Sequence, residues 1–322
     1  MSNTLYPLQF QPILKERIWG GEKLKTYLNK PLTSKITGES WEISTVENDV
    51  STIANGIYSG KKLTDLINLY PEEILGMKVF TQFGKQFPLL FKYLDAREDL
   101  SIQVHPNDAL AKKRHNSFGK TEMWYVMQAD KNAKIIVGFK ENSNSENYLK
   151  TLENKTLLSI LDSIPVKKGD AFFLATGTVH AIGAGLVIAE IQQTSDITYR
   201  LYDFDRKDSN GKTRELHINE ALEAINYNKI KTEKEYATEE NKSNSIVDCQ
   251  YFTTNFIPLD GKMSIANNGD SFKVLMCTEG DFELTTSNTK TYYTKGDTIL
   301  IPAAINSFDL IGKATVLEIY IS

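Results

Sequence analysis

The chain has 322 residues, 41% of them hydrophobic and 24% charged, and that is enough apolar material for a sizeable core. Lys and Arg number 37 against 41 Asp and Glu, a net charge of −4 at pI about 5.7 with no basic block to follow a phosphate backbone, so nucleic acid is excluded as an expected partner. Nothing approaches the ~20 consecutive apolar residues of a membrane span, and Cys249 and Cys277 form neither a disulfide framework nor a CxxC motif. The expectation is a cytoplasmic protein with two buried thiols and no membrane partner.

In chain order, Pro71 stands where a first helical residue would, with Gly76 as the stop. Ser143 and Glu146 have capping-box spacing ahead of Tyr148, Leu149 and Leu152, which share one helical face. Ile218, Ala221, Leu222 and Ile225 repeat at helical spacing and predict a helix over 218–225 that covers a barrel end. Between these lie short strand-like runs: FPLLFKYL, AFFLA, GLVIAEIQ and ITYRLYDF. From Asn228 to Ser245 only Ile230, Tyr236 and Ala237 are apolar, so this stretch is the expected boundary between residues 1–240 and 241–322. The C-terminal part reads as strands, including FKVLMCT, DFELTT, KTYYT and DTILIP, and is expected to cover the first part.

GDAFFLATGTVH (169–180) and GDTILIPAAINS (296–307) form a weak internal repeat: a Gly-Asp turn, an apolar strand, a turn of small residues and the start of a next strand. Both resemble the second cupin motif, G(x)5PxG(x)2H. The first copy departs from it at Ala175; the second keeps Pro302 but has Ala304 and Ser307 in place of Gly and His. The expectation is a mainly β protein of two cupin-like (jelly-roll) barrels, with helices inserted in and flanking the N-terminal one, and only the first barrel able to hold a metal.

Strand alternation in LSIQVHPND sends Ile102 and Val104 to one face and Gln103 and His105 to the other, two donors aimed into one space. A solvent-facing polar edge is the competing reading. Glu122 lies among the apolar residues of GKTEMWYVM, either a surface carboxylate or an acid held inside, and His180 ends the first repeat copy. Two imidazoles, a carboxylate and an amide oxygen make an open divalent-metal site, which ligand type alone leaves to zinc, Fe(II), Mn or Co. His115, in a basic turn, and His217, ahead of a helix, are expected to be solvated. Alternation from Ile197 places Asp196, Thr198, Arg200 and Tyr202 on one face, where Asp196 and Arg200 form either a structural ion pair or part of a site. Glu190 shares a face with Leu186 and Ile188 and needs a partner there. GKT at Gly119 and at Gly211 lacks the upstream Gly of a P-loop, GAGLVI lacks the third Gly of a dinucleotide fingerprint, and neither HExxH nor GxSxG occurs.

YPLQFQPILKERIWGG, GESWEIS, PLLFKYLDAREDLSIQVHPND, GKTEMWYVM, GTVHAIG and EIQQTSDITYRLYDFDR together resemble the type I mannose-6-phosphate isomerases, particularly their short bacterial form. The C-terminal part resembles the family's degenerate cupin more weakly, and the long helical insertion of larger members is absent or reduced. The resemblance implies one Zn2+ per chain held by Gln103, His105, Glu122 and His180, with Lys120 and Arg200 lining the active site and Asp196 and Glu190 nearby. Trp19, Ser44 and Lys92 are further candidates for the substrate pocket, and Arg17, Lys92 and Lys120 are the candidate partners of a phosphate. The implied reaction interconverts mannose 6-phosphate and fructose 6-phosphate through an enediolate. Lys120 moves the proton if burial and neighbouring cations lower its pKa, and Arg200 holds the oxyanion. A cupin-type non-haem Fe(II) oxygenase and a sugar-binding cupin without turnover are the alternatives.

Overall fold

The computed structural model describes residues 5–207 and 211–322, and the architecture is mainly β. A seven-stranded antiparallel sheet runs, edge to edge, through Glu233–Lys234, Ala171–Leu174, Glu122–Ala129, Leu186–Gln193, Leu89–Ala96, Thr37–Ile43 and Ile13–Gly21. A five-stranded sheet holds Tyr199–Tyr202, Ile102–Val104, His180–Ile182, Lys134–Phe139 and Leu161–Pro165 in that order. The C-terminal part forms a six-stranded sheet whose long strands Thr253–Ala266, Ser307–Tyr320 and Lys273–Thr285 pair side by side.

The two central strands of the seven-stranded sheet, LLFKYLDA and LVIAEIQQ, are buried along their whole length. They lack the in-out alternation of a half-exposed strand because both faces are covered. On one face Leu94, Ala96, Leu186 and Ile188 pack with Trp19 and Trp124. On the other, Phe91, Tyr93, Val187, Ala189 and Ile191 join a core completed by Val274, Met276, Leu317 and Ile319 of the C-terminal sheet and by Phe252 and Phe272 just ahead of its strands. Phe87 meets Phe272 there with ring centroids 4.7 Å apart. The C-terminal sheet therefore backs the seven-stranded one, and its own interior is a separate cluster around Leu275, Phe282, Tyr293 and Val316.

The internal repeat has a structural counterpart. Gly169 and Gly296 take φ of +93° and +97°, a region a side chain would strain, and each turns the chain into a short strand, Ala171–Leu174 or Thr298–Ile301. His180 and Ser307 then open the strands that follow. A two-residue strand, Glu233–Lys234, sits inside the polar stretch expected to be a boundary and pairs with Ala171–Leu174.

The helices fall close to their signals. Pro71 opens Pro71–Leu75, ended by Gly76 at φ +93°, and a further helix, Met77–Phe83, follows at once. The helix over 218–225 is Ile218–Ala224, with Ala221 packed among Tyr199 and Leu201. At the third helix, Ser145–Glu153, the cap is Asn144 rather than Ser143: the Asn144 side chain accepts from the Asn147 N–H at 2.8 Å. Asn caps as well as Ser, so adjacent candidates left the first turn one residue ambiguous. Cys277 is buried, whereas Cys249, expected to be buried as well, is only partly so. No helix among the described residues is long and apolar enough to cross a membrane.

Candidate metal centre and substrate cavity

Two cross-strand rows face one another where the sheets meet. In the five-stranded sheet Arg200, Gln103 and His180 are register partners on three neighbouring strands. In the seven-stranded sheet Trp124, Glu190, Lys92 and Trp41 form a row over four strands, and Glu122 stands two residues before Trp124. Side chains opposite one another across a ladder lie on the same face, so each row presents its polar groups together. Between the rows lies a cavity of about 530 Å³ lined by Trp19, Trp41, Lys92, Lys120, Glu190 and Arg200, with Gln103 and Asp196 also on its wall. A larger groove of about 1120 Å³ lies beyond the Gln193–Ile197 segment, but Gln103 and Lys120, which reach the donor cluster, line the smaller cavity and not the groove.

His105, Glu122 and His180 are all buried, and each offers a ligand atom within 4.8 Å of the others. His105 Nδ1 donates to the Ile197 carbonyl at 2.9 Å and His180 Nδ1 to the Thr178 carbonyl at 2.8 Å. Those bonds fix the tautomer that leaves both Nε2 atoms unprotonated, at 3.5 and 3.4 Å from the Glu122 oxygens. Burial, then the Lys120 charge, pulls His105 well below its ordinary pKa and His180 down to about 4, so both imidazoles are neutral at pH 7. Burial pushes Glu122 up to about 7 against the pull of Lys120, and its Oε1 is buried without a hydrogen-bond partner. Two neutral imidazoles and an orphaned buried carboxylate oxygen form a donor set that a divalent cation satisfies. Gln103 reaches the same cluster, with its amide nitrogen 3.2 Å from His180 Nε2.

Lys120 lies within this cluster, its Nζ 2.5 Å from Glu122 Oε2 and 3.0 Å from His105 Nε2. Its pKa departs from expectation. Burial acts to lower it, but the Glu122, Glu190 and Glu39 carboxylates outweigh burial and hold the ammonium above its ordinary value. Glu190 has the partners its buried position demanded: Lys92 at 3.0 Å and the Trp124 indole N–H at 3.0 Å. Burial opposes its charge, yet the Lys92 and Lys120 ammoniums hold its pKa down at about 2.

Among the described residues Asp196 and Arg200 do not form the structural ion pair considered above. Asp196 is exposed at the cavity rim, while the Arg200 guanidinium donates through Nη1 to the Glu215 carbonyl at 2.9 Å. Ser44 is not part of the cavity: it lies one residue past the strand Thr37–Ile43, and its Oγ accepts from the Val46 N–H in a local turn. The GESWEIS residues that do line the cavity are Glu39 and Trp41, with the Trp41 indole donating to Glu39 at 2.6 Å and Arg17 Nε at 2.7 Å. Strand alternation within that motif was the signal for them. Ser101 and Arg214 also line the cavity. Arg214 had no signal, because it sits in an irregular segment without periodicity. His217, expected to be solvated, is half-buried and accepts the Arg200 N–H on its Nδ1 at 3.1 Å.

The mannose-6-phosphate isomerase ManA of Bacillus subtilis is 38% identical over 317 residues, 97% of this chain and 98% of that protein. The chain belongs to the type I mannose-6-phosphate isomerase family. A family model for the type I phosphomannose isomerase catalytic domain matches residues 7–145, and one for the mannose-6-phosphate isomerase cupin domain matches residues 242–321. The Streptococcus mutans mannose-6-phosphate isomerase is 34% identical, covering 97% of each chain. The crystal structure of the Bacillus subtilis mannose 6-phosphate isomerase superposes with a TM-score of 0.90 at 34% identity, over 98% of this chain and 99% of that one. Membership makes the chain an isomerase of the aldose-ketose kind and sets aside the oxygenase and the passive sugar binder.

Proposed function

We propose that the chain interconverts mannose 6-phosphate and fructose 6-phosphate in the cavity between the two rows, with one Zn2+ held by His105, Glu122, His180 and the amide oxygen of Gln103. The observation that carries this reading is the buried donor cluster, contacted by Gln103 and Lys120, which line the adjoining cavity together with Arg200. When bound, the ion supplies Lewis-acid polarisation of the substrate carbonyl and offsets the Glu122 charge. The Glu122 carboxylate so offset is one of three whose charge holds the proton on Lys120 against the opposing effect of burial. Lys120 Nζ then takes the proton from one carbon and returns it to the neighbouring one, and Arg200 compensates the charge of the enediolate oxygen. Lys92 and Glu190, fixed to each other and to Trp124, keep the wall rigid and present polar groups to sugar hydroxyls.

Charge balance directs the phosphate to one end of the cavity. Lys120, Lys92 and Arg17 are each matched by a carboxylate, Glu122, Glu190 and Glu39 respectively. At the other end, among the described residues, Arg206 and Arg214 share the Asp203 carboxylate and Arg200 is held by a carbonyl, so the paired positive charge there exceeds the negative. We place the phosphate beside Arg214, which none of the three cations expected from sequence provides. A cytoplasmic location goes with this reading and is supported by the two free cysteines, one of them only partly buried.

The test is incubation of the purified protein with mannose 6-phosphate in deuterated water, with and without chelator. Fructose 6-phosphate should form, with solvent hydrogen entering the sugar, and chelation should abolish both. Product formation that chelation leaves intact removes the metal from the reaction. A Lys120→Ala variant that loses only substrate affinity, with turnover preserved, removes Lys120 from proton transfer.

A further inference from the structure

Arg200 lies on Tyr199–Tyr202, the edge strand of the five-stranded sheet, where the pairing register with Ile102–Val104 slips between Arg200 and Tyr202. An edge strand at a register slip has no partner to hold its outer N–H and C=O groups. Here the segment preceding the last N-terminal helix supplies them. The Arg200 N–H donates to His217 Nδ1 at 3.1 Å, and the His217 N–H donates to the Arg200 carbonyl at 2.8 Å. The Glu215 carbonyl accepts from the Arg200 guanidinium, whose Nε is buried without a partner. One residue earlier, Arg214 is anchored on Asp203 by bonds of 2.7 and 2.5 Å.

His217 occupies the N-cap position of Ile218–Ala224, yet its side chain makes no bond to that helix. The imidazole is turned back to Arg200 instead, with its ring 6.3 Å from that of Tyr199. Capping would place the side-chain acceptor on the helix N–H groups. The observed direction gives that up in favour of the one backbone N–H beside a cavity residue.

We propose that His217 is a positioning residue for Arg200: the Arg214–His217 segment substitutes for a missing neighbouring strand and fixes the guanidinium at the depth at which it meets the substrate oxyanion. The inference rests on the assignment of Arg200 to that oxyanion. It concerns a side chain outside the cavity wall and outside the donor cluster.

The experiment is a double-mutant cycle on the full-length holoenzyme with His217→Phe and Arg200→Ala, measuring kcat and KM for mannose 6-phosphate alongside thermal melts. Phe keeps a ring against Tyr199 but has no acceptor. His217→Phe is expected to lower kcat roughly ten- to a hundredfold, as misplacement of a catalytic group by about 1 Å does, with KM changed much less. In the Arg200→Ala background the same substitution should change kcat by less than about twofold, because the group it positions is gone. Independent effects that multiply in the double variant, or a folded His217→Phe protein with unchanged kcat while Arg200→Ala is impaired, overturn the inference. An Arg200→Ala enzyme of undiminished kcat instead overturns the oxyanion assignment, and the inference falls with it. If the Phe variant does not fold, His217→Leu is measured in its place against the same outcomes.

Discussion

Lys92 and Glu190 face each other across two central strands with side chains only 8% and 5% exposed, so removing one charge exposes what the pair contributes. In Lys92→Met the Glu190 carboxylate keeps the Trp124 indole bond but loses the nearest of the cations that hold it at about pKa 2. Breaking a buried pair from one side costs about 3–5 kcal/mol, because the remaining charge is desolvated without compensation. The indole bond and the nearby Lys120 put the expectation at the lower end, about 3 kcal/mol in urea denaturation at pH 7. Adding Glu190→Gln removes the orphaned charge and keeps an acceptor for the indole, so the double variant should recover most of the loss, to within about 1 kcal/mol of wild type. Activity should not follow: the double variant lacks the charged pair that faces the cavity at these two positions and should stay impaired in the isomerase assay. A double variant as unstable as the sum of the two singles would show that the pair is not coupled and that the row across the sheet does not act as a unit.

Further outcomes follow from the same geometry. Metal analysis by mass spectrometry should find about one divalent ion per chain in the wild type and almost none in Glu122→Ala, since the carboxylate is the only charged ligand; retention of the ion would refute the donor set. Gly38→Ala should destabilise the protein by about 1–3 kcal/mol and raise KM, because the added Cβ would lie 2.6 Å from the Trp19 ring, and an unchanged urea midpoint would show that the ring can yield. For Asp203 burial opposes the charge, but the Arg214 and Arg206 guanidiniums hold its carboxyl below the usual range. Its stabilisation is therefore present above the unfolded-state pKa of about 4 and is lost as pH falls through the lower folded value. The stability difference between wild type and Asp203→Asn should shrink in urea melts run from pH 6 down to pH 3, and a difference that grows on acidification would reverse the sign.

Much of the centre was legible because strands convert sequence spacing into direction. Gln103 and His105, two residues apart, reach one space, and His180 lies at the position that the Gly169 turn and its short strand dictate. Glu190 and Lys92 could be suspected only as isolated polar residues in apolar strands; the register that pairs them is a property of the sheet. Ser44, a candidate only through its place in the GESWEIS segment, lies one residue past the strand, where alternation no longer directs a side chain to the cavity. Arg214 and His217 had no periodicity to read, since they lie in irregular chain and their roles come from what that chain leans against. The condition set for Lys120, a pKa lowered by burial and neighbouring cations, is not met by the chain's own groups, for a related reason. Sequence shows the neighbouring Glu122 but not that Glu190 and Glu39 from two other strands also face the ammonium.

The same distinction accounts for what the C-terminal sheet does. The row Trp124, Glu190, Lys92 and Trp41 can be polar only because the opposite face of those strands is secured by apolar contact with Phe272, Met276 and Leu317. A sheet with a polar, partly hydrated face toward a cavity and a second face open to water would lack the buried area to hold its central strands in register. Covering the back permits charged residues on the front, and the buried pairs there then fix the electrostatics of the site. One contact joins the two directly: Lys30 donates both to Glu42, the neighbour of Trp41, and to the carbonyl of Gly296 in the second Gly-Asp turn, at 2.6 and 2.7 Å. The repeat copy that lost its histidine thus remains bonded, through Lys30 and Glu42, to the strand that carries Glu39 and Trp41 into the cavity.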